Sequence, residues 1–433
     1  MALTKLSPSM RVSIAQATLN ELGTKNYYLG IGHVLPWTPT TESPLASDSI
    51  PPDVMVSNIE LNSVWNNAIG MKKITLNDIS LAIRRIDWVS GTVYDQYDAQ
   101  KEDLYLDDFY VMNSNYEIYK CLFNNYGAAS VTMPSGTALI QNIDGYIWRY
   151  MYTVPTGDVS KFLMSNYIPI NIVASTPLIG ELYSINVLDG GSGYSTTPLV
   201  TINGNGTGAN ATAILDAGVV TKINITTPGS NYTYADVAIT GSNTTPASAV
   251  PNISVVGGHG SNIAEELYAT NIIISIGLEL DEGGTLLTTN DVRQAFIVKA
   301  PKTLANVTLN LPLTVSSISL TTIVTINGST AAFTQDTVVD IYVTSPSPIK
   351  VGTAVVAYND TINSKIYLTN ITSPTITDTN NIYIGVTPHS IVTGGVLLPD
   401  VKPNSGNIVY VLNRTPIIRN PAQIETFKIP LSW

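Results

Sequence analysis

Cysteine and histidine are scarce in this chain. Cys121 is its one cysteine, so no intramolecular disulfide is expected, and the three histidines, His33, His259 and His389, lie far apart in the sequence. None of them belongs to a Cys/His cluster with zinc spacing or to the pattern of a catalytic triad. We therefore expect no metal site and no cofactor.

Charged side chains are also few, at 12% of the residues, and the formal net charge is −11. Binding a nucleic-acid backbone needs clustered Lys and Arg side chains, which this composition does not supply. With so little charge, the surface must be built from Asn, Thr, Ser and Tyr, which suits a protein packed against neighbours. We expect protein partners and no nucleic acid.

No apolar run is long enough to span a bilayer. The longest aliphatic stretch, residues 271–280, is far shorter than the roughly 20 residues that a transmembrane helix requires. Residues 1–10 contain no apolar core of a signal peptide. The sequence therefore predicts neither secretion nor membrane insertion, and the single cysteine fits synthesis in a reducing cytoplasm.

Catalytic signatures are missing as well. Ser135 and Ser192 lie beside glycines but not in a Gly-x-Ser-x-Gly elbow, and no lysine of a phosphate-binding loop follows residues 190–193. A group of carboxylates lacks the spacing and the central glycine of an EF-hand, so a solvated acidic face is expected there. Its members are Asp95, Asp98, Glu102, Asp103, Asp107 and Asp108. We expect no enzymatic activity.

The N-terminal part mixes helix and strand signals. Ser7 can cap a helix that begins at Pro8 and that Gly23 can close in the left-handed conformation. Between them, apolar residues recur at helical spacing: Val12, Ala15, Leu19 and Leu22. Residues 75–83 are compatible with a short helix or an extended segment, and we favour the helix. Strands are predicted at residues 27–31, within 93–123 and at 146–154.

Residues 180–261 differ sharply in composition, because Gly, Thr, Asn, Ser, Ala and β-branched aliphatic residues make up almost all of them. This stretch repeats itself: residues 185–187 and 191–194 match residues 223–225 and 229–232, with a period of 38 residues. Each copy runs into another short β segment, at 199–202 and 237–239. The repeat predicts a small β module and excludes a long solenoid, which normally needs roughly three or more units.

The rest of the chain is also β-rich. A helix-compatible segment, 262–269, precedes predicted strands at 272–278 and 292–302. Residues 303–400 are rich in Thr, Val and Ile with turn residues about every eight to twelve positions, the pattern of a β-sandwich or small barrel. The end predicts a strand in which Pro430 favours an edge position. One face of that strand carries Phe427, Ile429, Leu431 and Trp433.

Several local patterns combine a large aromatic or apolar residue with Arg, Asp or Asn, a mixture that usually holds chain segments to one another. In chain order they are Pro36-Trp37, Arg85-Ile86-Asp87-Trp88, Tyr119-Lys120-Cys121-Leu122, the run Asp144-Gly145-Tyr146-Ile147-Trp148, the set Ser405, Gly406 and Tyr410, and Asn413-Arg414-Thr415-Pro416. In this order they resemble the baseplate wedge subunit family, called gene product eight, of T-even-like contractile-tailed bacteriophages. The resemblance covers residues 1–180, 260–302 and 404–433.

The resemblance implies a structural virion protein of the tail baseplate, made in the host cytoplasm. By this resemblance the protein would form a homodimer within each wedge, contact other wedge proteins and take part in the rearrangement of the baseplate on infection. Arg84 stands where the family can have proline and Ile86 where it can have a basic residue. A partner contact through that second charge therefore does not carry over.

We predict a mainly β protein with a multilayer β-sandwich core, a few short peripheral helices and two inserted β-rich modules. The core is discontinuous and comprises residues 1–180, 260–302 and 404–433. One insert is the repeat-containing module at residues 181–259, and the other is a β-sandwich-like module at residues 303–403.

Two sets of motif and surface residues have alternative roles. Arg85 and Asp87 beside Trp88 can form an internal charge clamp, which we favour, or can grip a partner. Three tyrosines can either anchor an interface or face the core of their own strands, and the sequence favours neither role. They are Tyr94, Tyr97 and Tyr105.

A different class of function competes with the wedge subunit. The repeat and the Asn-, Thr- and Tyr-rich β modules are also typical of a tail-fibre or receptor-binding protein, either an adhesin or a glycan-degrading enzyme. Glycan degradation needs paired carboxylates across a groove, and the two inserts contain few carboxylates. A two-fold dimer would favour the wedge subunit, and a trimer the fibre.

Overall fold

The computed structural model describes residues 6–54, 57–171, 177–282, 285–311, 317–344, 346–372 and 375–433. Over these residues the chain is mainly β, with a few short helices and several sheets, which confirms the predicted fold class. Residues 1–5, part of the segment considered as a signal peptide, lie outside the described residues. In the part of the chain that is described, no helix is long and apolar enough to cross a membrane.

Strands far outnumber helices along the chain. The helices are α1 (Pro8–Thr24), α2 (Asn58–Asn67), α3 (Thr156–Phe162) and α4 (Ile263–Glu266). The strands of the N-terminal half are β1 (Tyr27–Gly32), β2 (Ala68–Lys73), β3 (Ile79–Arg84), β4 (Tyr110–Met112), β5 (Glu117–Asn124), β6 (Leu139–Gln141), β7 (Tyr146–Thr153), β8 (Tyr167–Pro169), β9 (Ile185–Asp189), β10 (Leu199–Gly204) and β11 (Thr207–Asp216). The remaining strands are β12 (Val219–Ser230), β13 (Ala235–Thr240), β14 (Ser248–Pro251), β15 (Asn271–Glu279), β16 (Asp291–Lys299), β17 (Ser317–Ser319), β18 (Thr322–Ile326), β19 (Val338–Val343), β20 (Ile349–Asp360), β21 (Lys365–Thr369), β22 (Asn380–Ile384), β23 (Thr387–Leu397), β24 (Asn407–Ile418) and β25 (Ile424–Ser432).

The chain divides into two compact units. The first comprises Met1–Leu19, Ser80–Ile274 and Ile429–Trp433, and the second comprises Asn20–Ile79 and Ser275–Lys428. The predicted module at residues 181–259 falls within the first unit, and that at residues 303–403 falls within the second. The discontinuous three-block core, whose residues occur in both units, stays a prediction.

Helix α1 begins as the sequence predicts, since the Ser7 Oγ accepts a hydrogen bond from the backbone N–H of Met10 at 3.3 Å. Its end differs from the prediction. Gly23 is not in the left-handed conformation, and the helix continues to Thr24. A Cβ on Gly23 would meet the exposed side chain of Leu76, so this glycine leaves room for Leu76 beside the helix.

The helix predicted at residues 75–83 is wrong. A 3-10 turn, Leu76–Asp78, is fixed by the Asp78 carboxylate, which accepts hydrogen bonds from the backbone N–H and the hydroxyl of Thr75. The chain then extends as β3, because its apolar residues Ile79, Leu81 and Ile83 alternate with a period of two. The strand prediction for residues 93–123 holds only for β4 and β5, which lie in its second half.

The first unit contains a sheet with the strand order β4-β5-β7-β6 and residues of a second sheet with the order β25-β15-β3-β8. Strand β7 is the aromatic strand that the sequence predicts, and its Trp148 and Tyr152 are fully buried. Strand β25 is terminal in its sheet, in agreement with the position that Pro430 favours. Its Phe427 and Ile429 are buried as predicted.

The repeat at residues 181–259 has a conformational basis. Gly191 and Gly229, 38 positions apart, both adopt positive φ angles of 61° and 65°. Two residues later, Gly193 and Asn231 do the same, with φ of 77° and 61°. Asparagine is among the few non-glycine residues that tolerate this conformation, so the two copies keep one turn geometry with different residues. The strands that follow the two turns, β10 and β13, pair with each other.

The second unit contains the antiparallel sheet β17-β2-β1-β16-β24 and a closed barrel with the order β18-β21-β20-β19-β22-β23. The barrel realises one of the two architectures that the turn spacing allows for residues 303–400. Its interior is lined by residues that alternate along the strands, among them Val324, Ile326, Ile341, Ile366, Leu368 and Ile382.

Candidate functional site

The motif residue Trp37 joins two distant segments of the second unit. Its indole Nε1 donates a hydrogen bond to the backbone carbonyl of Arg414 at 3.0 Å, across 377 positions of sequence. The ring of His33, whose φ is +60°, stacks on the indole with a centroid separation of 3.7 Å. The loop after β1 is thereby held against β24.

Asn413, in the same motif as Arg414, also connects segments. Its amide Nδ2 donates to the carbonyl of Pro52 at 3.1 Å, and its Oδ1 accepts from Gln294 at 2.7 Å. Pro36, Trp37 and Asn413 line a surface cleft of about 280 Å³, hereafter the tryptophan cleft. Pro416, the remaining member of the motif, lies on β24 and is half-buried.

A charge pair that the sequence did not single out fixes the same loop. The guanidinium of Arg293 binds the carboxylate of Asp48 through two hydrogen bonds of 2.8 and 2.9 Å. The hydrogen bond from Arg293 lowers the pKa of Asp48 below its ordinary value. The sequence did contain one signal for this pair, a single arginine within the apolar strand β16. A buried guanidinium requires a partner, so this arginine indicated that a carboxylate lies nearby.

In the first unit, Asp144 and Gly145 form a turn rather than a chemical site. The Asp144 Oδ2 accepts hydrogen bonds from the backbone N–H groups of Val131 and Thr132, both at 2.9 Å. Gly145 has a φ of +85°. The carboxylate therefore satisfies backbone donors of a neighbouring loop, and the glycine provides the left-handed residue that the turn needs.

The aromatic residues of the same motif form a buried stack. The rings of Tyr146 and Trp148 lie 5.3 Å apart and nearly parallel, and Tyr94 packs edge-on against Trp148 at 5.8 Å. The Tyr146 hydroxyl donates to the carbonyl of Ala128 at 2.6 Å. These contacts are typical of a core.

The structure locates the three tyrosines for which the sequence allows two roles. Tyr94 and Tyr97 are buried, with 2% and 8% exposure, and therefore face the interior of their own unit. Burial follows from their surroundings, because Tyr94 packs on Trp148 and the ring of Tyr97 contacts His259 and Lys120. Tyr105 is half-buried.

Tyr97 belongs to a buried ionic cluster that no sequence pattern indicates. The Nζ of Lys120 lies 3.0 Å from the Glu266 Oε2, 3.1 Å from the His259 Nδ1 and 4.0 Å from the centroid of the Tyr97 ring. The Glu266 Oε1 accepts a hydrogen bond from the backbone N–H of Gly260 at 2.7 Å. The cluster thus ties β5 to the loop before α4.

The protonation of the cluster follows from burial and charge. Burial lowers the pKa of His259 to about 4, so its imidazole is neutral near pH 7. Burial opposes ionisation of Glu266, but Lys120 and His259 outweigh it and lower the pKa of this carboxyl. A neutral histidine therefore sits beside a paired lysine and carboxylate with little access to solvent, an arrangement suited to holding chain segments.

Arg85 and Asp87 form a charge pair, which both of the roles considered for them require. The Arg85 Nε lies 3.0 Å from both carboxylate oxygens of Asp87, and its Nη1 donates to the carbonyl of Met164 at 3.0 Å. Trp88 donates from Nε1 to the hydroxyl of Ser130 at 3.1 Å. The Asp87 side chain remains 50% exposed, so the pair lies at the surface, and the internal clamp stays a prediction.

Arg85 also lines a cleft of about 500 Å³ in the first unit. The ends of four strands converge there: Arg84 ends β3, Tyr167 begins β8, Asn271 begins β15 and Ser432 ends β25. We define the arginine cleft by six of its lining residues: Arg84, Arg85, Tyr105, Tyr167, Tyr268 and Ser432.

Among the residues that the structure describes, no group of three or more His, Cys, Asp or Glu side chains is placed to hold a metal ion. Two members of the predicted acidic face form surface ion pairs, Asp107 with Lys101 and Asp108 with Arg84. No protein-family model and no curated protein matches the chain.

Proposed function

We propose that this chain is a structural, non-enzymatic subunit of the baseplate wedge in the tail of a contractile-tailed bacteriophage. The order of the sequence motifs suggests this role, and one observation supports it most. The large side chain of the first motif, Trp37, bonds the backbone of Arg414 in the last motif. A residue used in this way fits a framework better than a substrate site.

The other motifs support the same role. Asp144 caps a neighbouring loop, Trp148 is buried in an aromatic stack, and Trp88 bonds Ser130. Each of these side chains has its polar group or its ring occupied by its own chain. A scaffold that must keep its shape while bound to neighbours needs such internal connections.

In this proposal the protein is a homodimer within each wedge, binds other wedge proteins and takes part in the rearrangement of the baseplate on infection. It is made in the host cytoplasm and resides in the virion. Its low content of charged residues, 12%, fits broad protein interfaces, whose centres are depleted of charge.

Two measurements test the proposal. Sedimentation equilibrium of the purified chain should give a dimer, and an electron-microscopy map of the tail tip of the particle that encodes it should contain the chain in the wedge. A trimer located at the distal end of a fibre would overturn the proposal in favour of the receptor-binding protein. Absence of the chain from purified particles would overturn both.

A further inference from the structure

Arg84 and Arg85 differ from most arginines of this chain in their access to solvent. Arg149, Arg293 and Arg419 are buried, with exposures of 7%, 4% and 2%. The side chains of Arg84 and Arg85 are 46% and 26% exposed and both line the arginine cleft. Two adjacent guanidinium groups are therefore available at one surface site.

Their hydrogen-bonding capacity is only partly used. Arg84 donates from Nη2 to the carbonyls of Leu106 and Asp107, at 3.2 and 2.7 Å, and Nη2 also pairs with the Asp108 carboxylate. The Arg84 side chain also interacts with the Tyr110 hydroxyl, whereas Arg85 donates only from Nε and Nη1, so within the described residues its Nη2 has no protein acceptor. Each guanidinium thus keeps N–H groups for a ligand.

Aromatic rings also line the cleft. Tyr105 and Tyr268 meet edge-on at 6.2 Å, and the guanidinium of Arg11 lies 5.5 Å from the centroid of the Tyr105 ring. Tyr268 has a φ of +53°, an uncommon conformation for a bulky residue, and its ring also packs edge-on against Phe109 at 6.0 Å. Over the described part of the chain, neither tyrosine hydroxyl has a hydrogen-bond partner.

The lining of the cleft contains donors and no carboxylate, in a chain whose net charge is −11. The neighbouring Asp87 and Asp108 are about half exposed, and ion pairs at that exposure contribute little. A further carboxylate could therefore bind the remaining N–H groups of the two guanidinium groups without displacing a buried partner. Bidentate binding of a carboxylate is the geometry that arginine favours.

We propose that the arginine cleft binds an acidic segment of a partner protein, with a Glu or Asp carboxylate on Arg84 and Arg85 and an apolar or aromatic side chain against Tyr105 and Tyr268. The volume of about 500 Å³ admits a few side chains and not a folded domain. Arginine and tyrosine are also enriched among residues that contribute most to protein interfaces. This inference rests on the proposed function, which requires protein partners.

A fluorescein-labelled decapeptide of alternating Glu and Tyr provides the probe, and fluorescence anisotropy with the full-length protein measures its binding. The same peptide with Gln in place of Glu should bind much more weakly. The double variant Arg84→Gln/Arg85→Gln should bind the Glu/Tyr peptide at least about tenfold more weakly, because hydrogen bonds to charged groups are strong. The proposal would be overturned if the protein bound the Glu and Gln peptides equally. It would also be overturned if the double arginine variant bound the Glu/Tyr peptide as tightly as the unsubstituted protein does.

Two controls separate recognition from general charge and from misfolding. Lys365→Gln/Lys402→Gln removes two exposed positive charges elsewhere and should bind like the unsubstituted protein. Arg85→Lys keeps the charge but loses the planar fork, so its affinity should be intermediate. If the Lys365→Gln/Lys402→Gln variant loses as much affinity as the double arginine variant, specific binding is refuted. It is also refuted if both Arg85→Lys and Arg84→Gln alone keep full affinity for the peptide.

The outcome is distinguishable from that of the proposed function. The peptide experiment uses the isolated chain, so a failure leaves the dimer and the location in the tail untouched. Conversely, if the chain binds the peptide but is absent from the baseplate, the arginine cleft remains a binding site for acidic segments and the role as a wedge subunit is rejected.

Discussion

The indole N–H of Trp37 and the carbonyl oxygen of Arg414 are 3.0 Å apart although 377 positions separate the two residues. This bond closes the loop after β1 onto β24 within the second unit. Its strength is measurable because phenylalanine preserves most of the ring contact with His33 while removing the donor.

Trp37→Phe should lower the free energy of unfolding by about 1 kcal/mol, the typical contribution of one hydrogen bond, with some added loss of packing. Urea unfolding followed by circular dichroism measures the change. Trp433→Phe is the matched control, since the Trp433 indole makes no hydrogen bond within the described residues. Equal destabilisation by the two variants would show that the Trp37 bond contributes nothing.

Removing the lysine from the buried cluster should be severe. Lys120→Met leaves the carboxylate of Glu266 buried without its cation, which typically costs about 3–5 kcal/mol. The double variant Lys120→Met/Glu266→Gln should recover part of the loss, because no uncompensated charge remains. If the double variant is as unstable as the sum of both single variants, the two residues do not act as a pair.

Acidification should destabilise the fold before carboxylates titrate. The pKa of His259 falls from 6.5 to about 4 in the fold, so below pH 6.5 the unfolded chain binds a proton that the folded chain does not. The stabilising contribution is complete above pH 6.5 and is lost as the pH falls toward 4, by roughly 3 kcal/mol in total.

Denaturant unfolding at several pH values between 5 and 7 tests this. His259→Asn should flatten the pH dependence in that range, and His33→Asn should remove a further part, because burial also lowers the pKa of His33 to about 4. A slope that is unchanged in the double variant would contradict the assignment.

The C-terminal strand should be indispensable. Deleting residues 427–433 removes the buried side chains of Phe427 and Ile429 and the edge of the β25-β15-β3-β8 sheet, so the truncated chain should be insoluble. Ile429→Ala alone should cost about 2–5 kcal/mol. Pro430→Ser changes an exposed edge position and should be tolerated. Normal solubility of the truncation would count against this.

The repeat module should be removable. Its two ends meet where Leu178 and His259 exchange backbone hydrogen bonds of 3.0 Å, and its interior has a hydrophobic cluster of its own, including Tyr194 and Ile223. Replacing residues 180–257 by a short Gly/Ser linker should leave the remainder folded, with a cooperative thermal transition. Keeping His259 preserves the Lys120 cluster. Loss of all cooperative unfolding would show that the module is integral.

Sequence patterns predicted those elements whose periodicity is strong and local. β7, β15 and the repeat turns follow directly from alternation and from left-handed residues. The sequence did not predict α2, because its apolar residues are sparse among asparagines, and it misassigned residues 75–83, where the Thr75–Asp78 hydrogen bonds confine the turn to three residues.

The site was less predictable than the fold. Lys120 lies in a hydrophobic strand, and its partners His259 and Glu266 are 139 and 146 residues away, so no local pattern reports the cluster. The same holds for Arg293 and Asp48, 245 positions apart. The sequence allowed two roles for Tyr94 and Tyr97 because tyrosine suits both environments, and only tertiary packing shows that they are buried.

The closed barrel of β18 to β23 affects where the protein can aggregate through its strands. Every strand of the ring pairs on both sides, so the barrel presents no row of unpaired backbone N–H and C=O groups to another chain. The terminal strands of open sheets, such as β24, do present such rows. At high local concentration, strand-mediated aggregation should therefore start at those open edges, and the barrel should remain inert as a template.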